Sequence, residues 1–256
     1  MTTTLSNKNI ILTGASKGFG SLCARALAAN GARLVLIARS QDLLQEVQSS
    51  CENSGNHLVL AADLTDPLQL KEAVSKAEEF LGVVDVVLHV AGGGLGLRDP
   101  FLSAADLDKL LTLNIKVAVD INRLLLPSML LRHKGNIVHV GSIASSEVVA
   151  SVGYNTSRAA LAGYVRSMGR EVAGSGVVVT GILPGAFYAP GNSWERLEKN
   201  KPEVVQQFIK DRLPRGFLGK AEELLPMILL LCSDSASMMG GCLVPIDAGE
   251  GRSYLI

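Results

Sequence analysis

Asn9-Ile-Ile-Leu-Thr-Gly-Ala-Ser-Lys-Gly-Phe-Gly20 is the stretch that decides the fold, and the Ala- and Leu-rich segment Ser21–Asn30 follows it. The apolar run, the glycine-rich turn and the Ala/Leu-rich segment predict a strand, a loop and a helix. Gly14, Gly18 and Gly20 let the backbone turn sharply and let a ligand approach without interference from a Cβ. Because the loop leads into a helix N-terminus, its N–H groups and the helix dipole favour a bound phosphate. A strand before the glycines and a helix after them are the context that a dinucleotide-binding turn requires.

The composition limits the classes of protein to consider. The chain has 256 residues, 48% of them hydrophobic and only 4% aromatic, and its formal net charge is zero. This balance favours neither a nucleic-acid partner nor an anionic membrane surface. The first eight residues contain no apolar stretch of signal-peptide length, and no later run reaches membrane-spanning length.

The cysteines and histidines give no sign of a metal site. Cys23, Cys51, Cys232 and Cys242 are scattered without CxxC or zinc-ligand spacing, and the four histidines form no cluster. The cysteines are typical of small buried residues in a reducing compartment. We therefore expect a cytoplasmic protein that binds no metal.

Apolar, strand-like runs recur along the chain with helical segments between them. The predicted strands are Ile10–Leu12, Leu34–Ile37, Leu58–Ala61, Val83–Val90, Asn136–Val140, Val177–Ile182 and Leu243–Ile246. Most are continuously apolar, as parallel strands covered on both faces usually are. The alternation predicts an α/β fold: a Rossmann-like, doubly wound parallel sheet in three α/β/α layers, forming a single domain over residues 1–256.

The segment 184–220 interrupts this alternation. It contains Pro190, Gly191, Pro202 and Pro214, with a helical patch around Trp194–Ile209. An insertion of this length in a compact domain is usually functional, so we predict a lid over a substrate site. The alternative is a surface excursion that packs on a neighbouring subunit.

The end of the second predicted strand indicates which nucleotide binds. An acidic residue about 20 positions after the glycines would bind a ribose 2′-hydroxyl and repel a 2′-phosphate. This chain instead has Arg39, whose guanidinium suits a phosphate, and Lys17 in the glycine loop can add a second positive charge. The pair favours NADP(H) over NAD(H), although each cation taken alone could be an ordinary surface residue.

A second group of residues predicts acid–base chemistry. Ser142 follows the fifth predicted strand, and Tyr154 and Arg158 lie at the start of an Ala-rich helix. Their spacing of four places Tyr154 and Arg158 on one helical face. A fixed cation beside a phenol favours the phenolate, which a tyrosine acting as general acid and base requires. Ser142 can then hydrogen-bond the substrate oxygen.

These motifs together resemble the short-chain dehydrogenases/reductases, in the small single-domain branch of ketoacyl reductase type. The resemblance covers essentially the whole chain, to the closing Val244-Pro-Ile-Asp-Ala-Gly249. It implies a catalytic tetrad of Asn114, Ser142, Tyr154 and Arg158, a carbonyl or alcohol substrate, and a homotetramer or homodimer. The cofactor-binding positions that it implies are Thr13, Gly14, Ser16, Lys17, Gly18, Phe19, Gly20, Arg39, Ser40, Asp63, Leu64, Ala91, Gly92, Tyr154, Arg158, Pro184, Gly185 and Phe187.

Three positions depart from the family pattern. The tetrad Lys is Arg158, the Asn-Asn-Ala-Gly after strand four is His89-Val-Ala-Gly92, and the Thr that usually holds the nicotinamide amide is Ala189. Arg158 keeps the charge and can hold two ribose hydroxyls with its fork, but it cannot lose a proton. We therefore expect weaker or altered turnover.

Two other functions remain open from the sequence. A Ser–Tyr–Arg trio also resembles the halohydrin dehalogenases, redox-neutral relatives that lack the nucleotide and replace the glycine loop. The retained Gly18 and Gly20, with Lys17 and Arg39 beside them, argue for a nucleotide. The third function is a nucleotide-binding protein without turnover. A sugar-derived ketone, a ketoacyl thioester and a polyketide-like ketone all remain candidate substrates.

Overall fold

The computed structural model describes residues 5–253, so the predicted domain ends at residues 1 and 256 lie outside the described residues. The strands are β1 (Asn9–Thr13), β2 (Arg33–Ala38), β3 (Leu58–Ala61), β4 (Val86–His89), β5 (Gly135–Val140), β6 (Val177–Pro184), β7 (Phe187–Tyr188), β8 (Gly219–Lys220) and β9 (Leu243–Ile246). Seven of them form one sheet in the order β3-β2-β1-β4-β5-β6-β9, and every neighbouring pair is parallel. The predicted Rossmann-like, doubly wound sheet is confirmed.

Helices cover both faces of this sheet. They are α1 (Gly18–Ala29), α2 (Gln41–Ser49), α3 (Pro67–Leu81), α4 (Ala104–Leu111), α5 (Val117–Leu131), α6 (Val152–Glu171), α7 (Ser193–Asn200), α8 (Pro202–Arg212) and α9 (Leu225–Leu231). One apolar core lies between the sheet and α1, α2 and α9, and a second lies between the sheet and α3, α5 and α6. The result is the predicted α/β/α arrangement of three layers. No helix in residues 5–253 is long and apolar enough to cross a membrane.

The strand register creates two rows of side chains at the carboxyl edge of the sheet. Leu12, Leu88 and Val138 lie side by side and belong to the core beneath α1 and α9; we call them the apolar row. The next residue on each strand points to the opposite face, because side chains alternate along a strand. Thr13, His89 and His139 therefore lie side by side on the face covered by α5 and α6, and we call them the polar row.

Several strand boundaries differ from the prediction by one to three residues. The largest difference is in β4, which begins at Val86 rather than Val83, because Gly82 caps α3 with a φ of +73° and the chain must turn before the strand starts. A π-helical turn at Thr112–Lys116 lies between α4 and α5. Such π turns frequently occur at functional sites.

The segment 184–220 carries two helices instead of one helical patch. Pro202 begins α8, and proline is favoured at a first helical position while it interrupts a preceding helix. The two helices pack against each other, with the ring centroids of Trp194 and Phe208 4.4 Å apart. The paired strands β7 and β8 join the two ends of the segment. Its role as a lid stays a prediction.

Candidate active site

The glycine turn packs backbone to backbone against the loop that follows β4. Gly14 has a φ of +69°, and a Cβ there would lie only 2.7 Å from the Ala91 backbone nitrogen. A Cβ on Gly20 would lie 2.0 Å from the Gly14 carbonyl oxygen, so neither position accepts a side chain. Thr13 Oγ1 accepts hydrogen bonds from the backbone N–H groups of Val90 and Ala91, at 3.2 and 3.3 Å. The glycine turn and the loop after β4 therefore form one rigid unit.

The N-terminus of α1 has the properties of a phosphate site. Gly18 begins the helix with a φ of +56°, and the first turn contains no acidic residue. Lys17 precedes it in extended conformation, is exposed, and does not cap the helix with its side chain. Ser16 is half-buried beside it, and Phe19 is buried. Free N–H groups at a helix start beside a cation favour an anion.

The ends of β2 and β3 bring together the residues predicted to hold the adenosine part of the nucleotide. Arg39 is exposed directly after β2, and Ser40 is the residue before α2. Asp63 Oδ1 accepts hydrogen bonds from the Thr65 hydroxyl at 2.7 Å and from the Thr65 N–H at 2.9 Å. These bonds, aided by the charge of Arg39, hold the pKa of Asp63 below its usual range. Leu64 beside it is buried.

Asn114 braces the loop after β4 from the opposite side. It lies in the π-helical turn and is buried. Its Oδ1 accepts from the Gly93 N–H at 2.9 Å, while its Nδ2 donates to the carbonyl oxygens of Gly93 at 3.0 Å and Leu110 at 2.9 Å. The side chain therefore fixes the backbone of Gly93 on both its donor and its acceptor.

Tyr154 and Arg158 contact each other, as their spacing predicts. The guanidinium carbon of Arg158 lies 5.0 Å from the centroid of the Tyr154 ring. Arg158 is buried, and its Nη1 donates to the Val140 carbonyl oxygen at 3.0 Å. Its Nη2 lies beside Gly92, where a Cβ would come within 2.7 Å of it. The Val140 carbonyl oxygen therefore already binds one nitrogen of the guanidinium that we expected to hold two ribose hydroxyls.

Ser142 lies just beyond β5 and is half-buried. Its Oγ accepts a hydrogen bond from the Ala144 N–H at 3.1 Å, which starts a short turn that packs against α6. Within the described part of the chain it shares no hydrogen bond with Tyr154. Because Oγ is an acceptor in its local bond, its own hydrogen is available to a substrate.

The start of the segment 184–220 lies on the glycine turn. Pro184 ends β6, and Gly185 N donates to the Ile246 carbonyl oxygen at 3.1 Å. The Phe187 ring meets Phe19 edge-on, with centroids 5.7 Å apart. The structure thus brings this predicted cofactor-binding segment next to the predicted phosphate site. Ala189, which replaces the family's Thr, is buried.

Two carboxylates that were not predicted from the sequence tie the C-terminal segment to the site loops. Glu250 Oε2 accepts from the Ala186 N–H at 2.6 Å, and burial raises the pKa of Glu250. Glu147, five residues after Ser142, accepts from the backbone N–H groups of Arg252 and Ser253. Single acidic residues form no recognisable pattern, so the sequence carried no signal for either contact.

The sequence analysis also missed the pairing of two buried histidines in the polar row. The rings of His89 and His139 stack with centroids 4.6 Å apart and an interplanar angle of 14°. His89 Nε2 donates to Asn122 Oδ1 at 2.8 Å, and Asn122 Nδ2 donates to the Tyr164 hydroxyl at 3.0 Å. Burial lowers the pKa of His89 to about 4 and that of His139 well below its usual value, so both rings are neutral. Histidines near the carboxyl ends of two separate apolar strands were the available signal.

Comparison with known proteins establishes the family. The profile of the short chain dehydrogenase family matches residues 8–200, and the chain belongs to this family. Ketoacyl reductase HetN from Nostoc sp. is 35% identical over 186 residues, 72% of this chain but 64% of that relative, which is less than two thirds of its length. The 3-oxoacyl-(acyl-carrier-protein) reductase FabG from Thermotoga maritima is 28% identical over 252 residues, 96% of this chain and 98% of the relative.

A solved structure shows the same fold over the whole chain. L-sorbose reductase from Gluconobacter frateurii, in complex with NADPH and L-sorbose, superimposes with a TM-score of 0.89 at 26% identity, covering 99% of this chain and 100% of that one. The resemblance to ketoreductases of this family is confirmed. The chain is therefore assigned to the short-chain oxidoreductases.

Proposed function

We propose that this protein is an NADP(H)-dependent oxidoreductase that interconverts a ketone or aldehyde with an alcohol. The observation that carries the proposal is the position of the Ala91–Gly92 backbone. Ala91 packs against Gly14 of the nucleotide turn, while Gly92 touches the guanidinium of Arg158 beside Tyr154. One short loop therefore joins a phosphate site to an acid–base site, as hydride transfer from a dinucleotide requires.

The residues present fit the cofactor. The glycine turn and the start of α1 suit the phosphates, and the exposed cations Lys17 and Arg39 suit a 2′-phosphate. Asp63 and Leu64 lie at the carboxyl end of β3, where the family contacts adenine. When bound, NADPH supplies the hydride that the substrate carbon accepts.

The chain's own residues supply the proton and the orientation. Tyr154 donates its hydroxyl proton to the substrate oxygen in reduction and removes it in oxidation. The Ser142 hydroxyl donates a hydrogen bond to the same oxygen and stabilises the negative charge that develops there. Arg158 contacts the Tyr154 ring, and Asn114 holds the Gly93 backbone in place.

The first experiment measures cofactor binding. Fluorescence titration should show that NADPH binds more tightly than NADH, and Arg39→Asp should remove or reverse that preference because a carboxylate repels the 2′-phosphate. Lys71→Asp, which makes the same charge change on an exposed position of α3, is the control and should leave the preference unchanged. A protein that binds neither nucleotide would refute the proposal.

The second experiment measures turnover. Oxidation of NADPH over a panel of sugar-derived ketones, ketoacyl thioesters and polyketide-like ketones should identify the substrate class. Tyr154→Phe should lower the rate about a thousandfold and change NADPH affinity far less, since the lost hydroxyl is the proton donor. An unchanged rate would mean that Tyr154 is not the acid.

Arg158 favours one second candidate function. Its guanidinium stays protonated and is partly engaged by Val140, so a nucleotide-binding protein without turnover would also fit this site. Binding of NADPH with no oxidation of it by any carbonyl would support that candidate. A redox-neutral reaction of dehalogenase type would instead need catalysis without nucleotide binding.

Assembly into a homodimer or homotetramer and a cytoplasmic location are further parts of our proposal, and sedimentation velocity tests the assembly.

A further inference from the structure

The polar row borders a small cavity that Arg158 also lines. The cavity has a volume of about 10 Å³, and its polar lining consists of Thr13, His89, Asn114, His139 and Arg158. The remaining lining is apolar and comes from the loop after β4, the end of β5, the π-helical turn, α5 and α6. A volume of about 10–15 Å³ holds one water molecule, and such a water needs at least two polar partners.

Three buried nitrogen atoms beside this cavity have no hydrogen-bond partner in the described part of the chain. They are Nδ1 and Nε2 of His139 and Nε of Arg158. A buried donor without a partner is costly, and a charged donor is more so, which makes unpaired groups of this kind rare in native proteins. Both residues line the same cavity, so a single occupant can pair with Arg158 Nε and with one ring nitrogen of His139.

We infer that the cavity holds one water molecule that accepts from Arg158 Nε–H and donates to a ring nitrogen of His139, which makes His139 a positioning residue for Arg158. The second ring nitrogen of His139 carries the hydrogen of the neutral ring. With Nη1 held by Val140 and Nε held by the water, Nη2 is directed to Gly92. The inference rests on the proposed function only in that Gly92 belongs to the loop that would hold the cofactor.

The groups that surround His139 favour the neutral ring that this water requires. His89 stacks on one face from β4, Tyr164 of α6 meets it edge-on with ring centroids 6.0 Å apart, and Arg158 of α6 carries the nearby positive charge. No carboxylate of the described residues lines the cavity to stabilise an imidazolium. A neutral ring keeps one nitrogen as an acceptor.

Two substitutions separate the role of the polar atoms from that of the ring. His139→Phe keeps a ring that can stack on His89 but removes both nitrogens. His139→Asn loses the ring but keeps a donor and an acceptor close to the position of imidazole Nδ1. A positioning role predicts a defect in His139→Phe that His139→Asn largely rescues, whereas a packing role predicts the reverse.

The first measurement uses the protein without nucleotide. The Arg158 Nε–H should give a nitrogen-15 NMR signal that is protected from solvent exchange, assigned by its loss in Arg158→Lys. We expect the signal to persist in His139→Asn and to lose its protection in His139→Phe. His57→Asn is the matched control, because His57 is buried far from the cavity and bonds the Leu34 N–H and the Glu52 carbonyl oxygen. Equal protection in His139→Phe and in the wild type would overturn the inference.

The second measurement is the affinity for NADPH. His139→Phe should weaken binding about ten- to hundredfold, because an unpaired charged donor leaves the guanidinium free to turn away from Gly92. His139→Asn should stay within about threefold of the wild type. A wild type that binds no NADPH would refute the proposed function, while the NMR result would still decide the role of His139.

A crystal structure of the wild type keeps the inference testable should a variant not fold. Density for one water within hydrogen-bond distance of both Arg158 Nε and a His139 ring nitrogen is the expected result. An empty cavity, an ion in place of the water, or a water that contacts only one of the two would overturn the inference.

Discussion

The apolar row and the polar row lie on the same three strands, one residue apart, yet their side chains differ in chemistry. Leu12, Leu88 and Val138 are fully buried within the core beneath α1 and α9. The polar row is buried just as deeply but contains two imidazoles and a hydroxyl beside a guanidinium. Burying polar groups opposes folding unless each finds a partner, and both ring nitrogens of His139 have none among the described residues. Burial alone stabilises the apolar row, whereas the stability of the polar row depends on its hydrogen-bond partners.

The largest effect that tests this comparison is expected in the apolar row. Leu88→Ala should lower the free energy of unfolding by about 3 kcal/mol, because it removes buried methyl groups and leaves a cavity. Denaturant unfolding measures the loss. NADPH affinity should stay the same, since this side chain faces α1 and α9 rather than the site.

Leu68→Ala is the matched control for Leu88→Ala. Leu68 is 80% exposed at the start of α3, and its truncation should change the free energy of unfolding by less than about 0.5 kcal/mol. If Leu88→Ala greatly weakened NADPH binding while Leu68→Ala left it unchanged, the apolar row would also shape the site. The proposed difference between the two rows would then be wrong.

Much of the fold around the two rows could be predicted from the sequence. Continuous apolar runs mark parallel strands covered on both faces, so all seven strands of the sheet were predicted. The glycine turn was predictable because only glycine tolerates a φ of +69° at Gly14 with a backbone 2.7 Å from its Cβ position. The separate start of α8 was also within reach, since Pro202 is a typical first helical residue.

The polar row could not be read in the same way. His89 and His139 lie fifty positions apart on two different strands, and only the register of β4 against β5 places their rings in contact. The sequence of one strand does not by itself specify its register against a neighbouring strand. The contact between Arg158 and the Val140 carbonyl oxygen likewise depends on the packing of α6 over the sheet, which the spacing to Tyr154 does not reveal.

The second prediction concerns pH and the polar row. His89 has a pKa of about 4 in the folded protein against 6.5 in the unfolded chain, so the unfolded state binds protons first as the pH falls. Stability from the neutral ring is complete above pH 6.5 and is lost as the pH falls toward 4. Between pH 7 and about pH 5, His89 should lower the free energy of unfolding by about 2 kcal/mol. His139 acts in the same direction.

Urea unfolding at the two pH values measures this effect, and His89→Asn provides the control. Asn does not titrate, so its variant should lose about 2 kcal/mol less between pH 7 and about pH 5 than the wild type. If the free energy of unfolding depended on pH equally in both proteins, burial would not be what keeps His89 neutral.

The last prediction compares two buried threonines, one in each environment. Thr180 of β6 lies beside Val138 of the apolar row, is fully buried, and its hydroxyl has no partner among the described residues. Thr180→Val keeps the shape and removes the unpaired hydroxyl, so it should raise the free energy of unfolding by about 1 kcal/mol. Thr13 of the polar row is equally buried, but its hydroxyl accepts from the N–H groups of Val90 and Ala91. Thr13→Val should therefore lower stability by about 1–3 kcal/mol, because it leaves two backbone donors without their acceptor. Denaturant unfolding of both variants gives the signs directly, and the same sign in both would show that partnered and unpartnered hydroxyls are equivalent in this sheet.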